Sequence, residues 1–140
     1  MPETEKPKYC LDTNTVSEIL RGNAKTVSAM KAVIDNGSFC VIPPVVYYEI
    51  MRGLLSGVSM RKMERFEWLL REIWDTMVMD EPVFLKSAEI YADLRKQGQI
   101  IEDDDIFIGA TALINNCILV TDNVKHFSRI QGMKIENWIH

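Results

Sequence analysis

With 140 residues, 47% of them hydrophobic and 26% charged, the chain has the size and composition of an ordinary globular domain, which excludes fibrous and disordered classes. No apolar run approaches the ~20 residues that cross a bilayer, and the polar stretch from Met1 to Lys8 lacks the apolar core of a secretory signal, so the expected compartment is the cytoplasm. A net charge of −4 excludes binding of polyanions by bulk charge, yet is compatible with a local acidic site that acts through a metal ion.

Along the chain, Tyr9-Cys10-Leu11 is a short apolar run of strand type leading into Asp12. Thr15 to Arg21 predicts a helix, with Thr15 and Glu18 as a capping box and Gly22 as its stop. Lys25 to Asn36 predicts a second helix, with Val27, Met30, Val33 and Ile34 on one face and Gly37 beyond its end. Phe39 to Ile42 reads as a strand. Pro44 suits the first position of the next helix, which runs from Val45 to about Leu55 with Val46, Ile50 and Leu54 at helical spacing. Met60 to Trp74 is long, amphipathic and rich in Arg and Glu, and Thr76 to Met79 reads as a third strand. Pro82 opens a helix that runs to Gln97 and stops at Gly98. Ile106 to Asn115 is a helix of small residues suited to close packing on a sheet. Ile118 to Thr121 is a fourth strand, and a short helical turn near His126 precedes a last strand around Met133 to Ile135.

Strand-length apolar runs alternating with helical segments are the pattern of a parallel sheet with crossover helices. No linker or repeat divides the chain, so the expectation is one α/β domain over residues 1–140, with 1–7 as a flexible tail. The Met-rich apolar faces of Lys25 to Asn36 and Met60 to Trp74 exceed the obvious needs of one small core and suggest a partner surface. Cys10, Cys40 and Cys117 are odd in number, far apart and without a C-x-x-C, which reads as buried thiols rather than a disulfide framework or zinc site.

The chemistry narrows by elimination. There is no G-x-S-x-G and no glycine-rich phosphate loop, and His126 and His140 have no serine or cysteine partner at a strand end. Carboxylates remain. Asp12 and Asp122 each end an apolar strand, where ligands of parallel α/β sheets bind. Glu49 lies in an otherwise apolar stretch, and Asp105 closes the run Glu102-Asp103-Asp104-Asp105 ahead of the small-residue helix. Each acid has an ordinary alternative reading as a cap, turn or solvated residue. Four of them at one end of one sheet would repel unless a cation neutralised them, and all-oxygen ligands select Mg²⁺, Mn²⁺ or Ca²⁺ over Zn²⁺. As one member of such a cluster, Asp12 is expected to stabilise the fold little.

Leu11-Asp12-Thr13-Asn14, Tyr48-Glu49-Ile50 followed by Gly53, Asp105-Ile106-Phe107-Ile108-Gly109-Ala110, and Val120-Thr121-Asp122-Asn123 ending in Phe127 form an ordered set that resembles the PIN-domain pattern, and within it the VapC-type toxin ribonucleases. The resemblance covers nearly the whole chain, including Gly132 to Trp138. It implies a three-layer α/β/α fold with a central, mainly parallel sheet of four to five strands and an acidic pocket for one or two Mg²⁺ or Mn²⁺ ions. It implies an endoribonuclease, often of tRNA or rRNA, usually a homodimer, held inactive by a cognate antitoxin. The family's acids carry over to Asp12, Glu49 and Asp105 as catalytic metal ligands, with Asp103 and Asp104 off that register. The fourth acid departs from the pattern: many members place it where this chain has Asn123, and Asp122 stands one residue earlier, so either the Asp122 carboxylate reaches the pocket as the fourth catalytic metal ligand or Asn123 contributes a neutral oxygen. Asn14 and Thr121 are expected to support the ligands, and Arg52, with Arg21 and Lys125, to contact phosphate. Two other readings remain: a PIN-like domain that binds RNA or a partner without cutting, and a haloacid-dehalogenase-type phosphatase, whose second aspartate is Asn14 here.

Overall fold

The computed structural model describes residues 6–57, 59–73 and 78–140. Strands β1 (Lys8–Leu11), β2 (Phe39–Val41), β3 (Ile118–Val120) and β4 (Ile135–Glu136) form an all-parallel sheet in the order β2-β1-β3-β4. The helices are α1 (Thr13–Arg21), α2 (Ala24–Asp35), α3 (Pro44–Ser56), α4 (Met60–Glu72), α5 (Glu81–Lys96), α6 (Asp103–Ile114) and α7 (Val124–Phe127). This is the layered α/β arrangement that the alternating pattern predicts. Cys10, Leu11, Val41, Leu119 and Val120 are all essentially buried, as expected for parallel strands covered on both faces.

Topology positions the site. From β1 the chain crosses to β2 on one side, and from β3 it crosses to β4 on the other, so the strand order reverses between β1 and β3. A crevice opens at such a switch point, beyond the carboxyl ends of the two strands. Register aligns those ends: Leu11 lies opposite Val120, so Asp12 and Thr121 emerge side by side. The Val120 carbonyl fixes the junction, accepting the Asp12 N–H at 3.0 Å and the Thr15 hydroxyl at 3.0 Å.

Several local expectations shift. α1 begins at Thr13 with Asp12 at its N-cap, and the Thr15–Glu18 capping box does not form, because the buried Thr15 hydroxyl is spent on the neighbouring strand. Gly22 ends α1 in the left-handed region at φ 82°, as its sequence position suggests. α6 starts at Asp103, so the acidic run forms its first turn rather than preceding it. The strand expected over Thr76 to Met79 lies partly outside the described residues; Val78 and Met79 are not in a strand. The last strand sits at Ile135–Glu136, since Gly132 turns the chain at φ 84° and delays it. Met30 of α2 goes into the core and Val27, Val33 and Ile34 pack against it, so α2 keeps little apolar surface for a partner, while Phe66 and Leu69 bury the inner face of α4. Exposed large apolar side chains remain on α4 (Met60, Trp68), and others lie on α3 (Tyr47, Tyr48, Leu55) and α5 (Phe84, Leu85, Tyr91).

Phe127 is fully buried and ties the short α7 to the core beside Gly109. Phe127→Ala should cost roughly 3–5 kcal/mol. A thermal melt should show the midpoint falling on the order of 10 °C. An unchanged midpoint would mean that α7 is not anchored this way.

Candidate active site

Asp12 is only 4% exposed, and both of its carboxylate oxygens are engaged by the protein. Its Oδ1 accepts the Thr13 N–H at 2.7 Å, and its Oδ2 accepts the Thr121 hydroxyl at 2.7 Å and the Asn14 amide at 3.1 Å. Burial raises its pKa, and those three hydrogen bonds pull it back down. Asn14 is a tie-bar between strand ends. Its Oδ1 accepts the Asp122 N–H at 3.0 Å, while its amide also reaches the Thr121 hydroxyl at 3.4 Å. Thr121 is buried and its hydroxyl accepts the Asn123 N–H at 2.9 Å.

Two helices bring further acids to this point. Glu49, on α3, accepts the Thr13 hydroxyl on Oε1 at 2.7 Å, and its Oε2 lies 3.8 Å from Arg52. Its pKa is raised by burial, then by the Asp104 carboxylate, which both repels it and shares a hydrogen bond, and by Asp12. Asp105, in the first turn of α6, is half-buried and raised to about 6, first by burial and then by Asp12, Glu49, Glu102 and Asp104. A helix N-terminus ordinarily favours an anion. Here desolvation and like charge win, which identifies the residues that share one field: Asp12, Glu49, Asp104 and Asp105.

The structure thus brings three of the four expected acids together and sets the fourth apart. The Asp122 carboxylate faces the C-terminal segment, 3.3 Å from the Asn137 amide and 3.3 Å from His140 Nε2. Thr121 and Asp122 lie beyond the end of β3, where the chain bends, so the Thr121 hydroxyl turns to Asp12 while the Asp122 carboxylate turns to the C-terminal segment. The Asn123 amide lies 3.0 Å from His126 Nδ1, and that nitrogen is 4.0 Å from Asp105. Arg52 flanks Glu49, whereas Arg21 pairs with Glu18 at 3.1 Å on the surface and Lys125 is exposed.

Thr13, Asp104 and His126 join the site although sequence reasoning does not single them out. Thr13 and Asp104 are sequence neighbours of Asp12 and Asp105, which is a usable signal; nothing local distinguishes His126. Among the described residues, no three His, Cys, Asp or Glu side chains close into a ready metal cage, because each acid is turned toward a protein partner. The donor set is nonetheless all carboxylate oxygen and mutually repulsive, and a hard divalent cation relieves that repulsion.

A family model described as PIN domain matches residues 9–133. Ribonuclease VapC2 of Rickettsia felis is 40% identical over 130 residues, covering 93% of this chain and 97% of its own. Ribonuclease VapC1 of Methanocaldococcus jannaschii is 36% identical over 83 residues, 58% of this chain and 61% of its own. The solved structure of VapBC-1 from nontypeable Haemophilus influenzae superposes with a TM-score of 0.83 at 25% identity, covering 95% of this chain and 99% of that one.

Proposed function

Because the chain belongs to the PIN-domain family, we propose that its Asp12, Glu49 and Asp105 cluster is the active site of a VapC-type endoribonuclease, the toxin of a toxin–antitoxin pair. The observation that carries this reading is the set of carboxylates raising one another's pKa at the switch point of the sheet. Such a cluster is costly to keep empty of cations and serves no evident packing purpose.

Asp12 and Asp105 would hold Mg²⁺ or Mn²⁺, which suits Mg²⁺, an ion commonly held by one or two carboxylates plus water and substrate phosphate. Glu49, held by Thr13, would help to hold the ion or would orient an attacking water. The ion supplies a lowered water pKa and offsets charge that builds on the phosphate. Thr121, Thr13 and Asn14 fix the Asp12 carboxylate so that its charge is aimed before substrate arrives. Asn123 is a neutral oxygen at the edge of the site, and Asp122, held by Asn137 and His140, is at most an outer contributor. A second ion is accordingly held by fewer charges than four acids would give. Arg52 contacts a substrate phosphate.

The RNA is read as tRNA or rRNA in the cytoplasm, and among the described residues no helix is long and apolar enough to cross a membrane. The exposed apolar side chains of α4 and α5, with Leu55 of α3, supply surface for a homodimer and for the antitoxin segment. A labelled RNA should be cleaved with Mg²⁺ or Mn²⁺ present and left intact in EDTA. Cleavage that persists in EDTA would refute the metal-dependent reading. Absence of cleavage with either ion would favour a PIN-like domain that binds without cutting.

A further inference from the structure

We propose that Tyr48 and Arg52 form a stacking platform for one unpaired nucleobase of the RNA, next to the scissile phosphate; this rests on the ribonuclease reading above. Helix α3 carries Tyr48, Glu49 and Arg52 within little more than one turn. Glu49 turns into the acid cluster through Thr13, so the residues beside it flank the reaction site. The Arg52 guanidinium is held at two points: its carbon lies 5.1 Å from the centre of the Tyr48 ring, and its Nη2 lies 3.8 Å from Glu49. Tyr48 remains 58% exposed and the Arg52 side chain 55% exposed, so the pair offers a broad π surface to solvent.

The other aromatics of this region are differently used. Tyr47 packs on Phe66 with centroids 5.7 Å apart, and Phe84 meets the edge of Phe107 at 5.7 Å. Among the described residues, Tyr48 is the aromatic ring with a cation over it. That pairing answers a problem the acids create. A phosphodiester approaching Glu49 and the acids beside it is repelled, and Arg52, which contacts both Glu49 and the ring, attracts it. Once a phosphate sits there, the adjoining base lies within reach of the ring or of the outer face of the guanidinium, both of which stack on bases. A base in an A-form helix has both faces covered by its neighbours, so the platform selects single-stranded segments, loops or bulges.

The test uses the full chain carrying Asp12→Asn, so that the RNA should stay uncut during the measurement. The probe is an oligouridylate of about ten nucleotides with one 2-aminopurine, moved along the strand in a series. One register should show 2-aminopurine quenching on binding. Tyr48→Leu should abolish that quenching and weaken binding about 5- to 100-fold, while Tyr48→Phe keeps both. An oligonucleotide abasic at that register should bind equally to the chains with and without Tyr48→Leu, since the lost base and the lost ring remove the same contact. Undiminished quenching and affinity in Tyr48→Leu overturns the platform alone. So does a Tyr48→Leu penalty that is as large on the abasic strand as on the intact one. A Tyr48→Leu chain that changes from dimer to monomer in light scattering overturns it too, because the ring then serves a second copy. Absence of metal-dependent cleavage by the unsubstituted chain overturns the ribonuclease reading, and the platform with it.

Discussion

Asp12→Asn should eliminate RNA cleavage, by at least about a thousandfold, while the protein stays folded. The substitution removes a full negative charge from a site where cation affinity depends on the number of charges. It keeps the shape of the side chain. The new carbonyl can still accept the Thr13 N–H, but the new amide donates where Oδ2 accepted, so the bond to Asn14 is lost and the Thr121 hydroxyl must turn to accept from the amide. Removing a charge that burial disfavours offsets part of that loss. Asp12→Ala is the poorer probe, against the expectation that Asp12 stabilises the fold little. It would leave the Thr13 N–H, the Thr121 hydroxyl and the Asn14 amide without their acceptor, at about 1–3 kcal/mol for each donor that stays buried. Paired measurements decide: expression of the unsubstituted chain should arrest bacterial growth, Asp12→Asn should relieve the arrest, and both should melt at similar temperatures. A folded Asp12→Asn protein that cleaves RNA within about tenfold of the original would sink the assignment.

What the sequence makes legible is whatever local rules determine. Tyr9-Cys10-Leu11-Asp12 is apolar and then abruptly charged, and it is the buried strand and helix cap that such a pattern demands. Pro44 opens α3, and the small residues of α6 allow Gly109 to sit where a Cβ would come within 2.7 Å of Ile130. What is not legible arises from contacts between distant segments. Thr15 has the spacing to Glu18 of a cap, but a strand more than a hundred residues away competes for its hydroxyl. Asp104 falls off the family register, yet the helix starting at Asp103 puts it beside Glu49. Asp122 lies two residues beyond the end of β3, and the bend there turns its carboxylate toward Asn137 and His140. His126 reaches Asp105 only because α7 folds back under the anchor of Phe127.

Asp105→Asn should have opposite effects on the metal-free and metal-loaded protein. Asp105 is raised to about 6 from an ordinary value of 3.8 by burial and by Asp12, Glu49, Glu102 and Asp104, with His126 the nearest potential cation at 4.0 Å. In the unfolded chain the carboxyl ionises near its ordinary value; in the folded chain it holds its proton until about pH 6. The folded state therefore binds more protons between those limits, and stability falls as pH rises through that window. Below it the carboxyl is protonated in both states and the penalty disappears. A two-unit shift corresponds to at most about 3 kcal/mol. Solvent access to the half-buried group reduces this to roughly 1–2 kcal/mol. In EDTA above pH 7, Asp105→Asn should accordingly melt a few degrees higher than the unsubstituted chain, and the advantage should fade toward pH 4. Glu49 and Asp12, raised for related reasons, add to the same trend in the unsubstituted chain. With Mn²⁺ the order should reverse: the unsubstituted chain gains stability by mass action, and the variant gains much less because it has lost a ligand charge. Calorimetric titration should show the matching drop in Mn²⁺ affinity. A variant that melts lower in EDTA at pH 8 would contradict the repulsion inferred among these carboxylates. Equal stabilisation of both proteins by Mn²⁺ would remove Asp105 from the ligand set, leaving Asp12 and Glu49 to hold the ion.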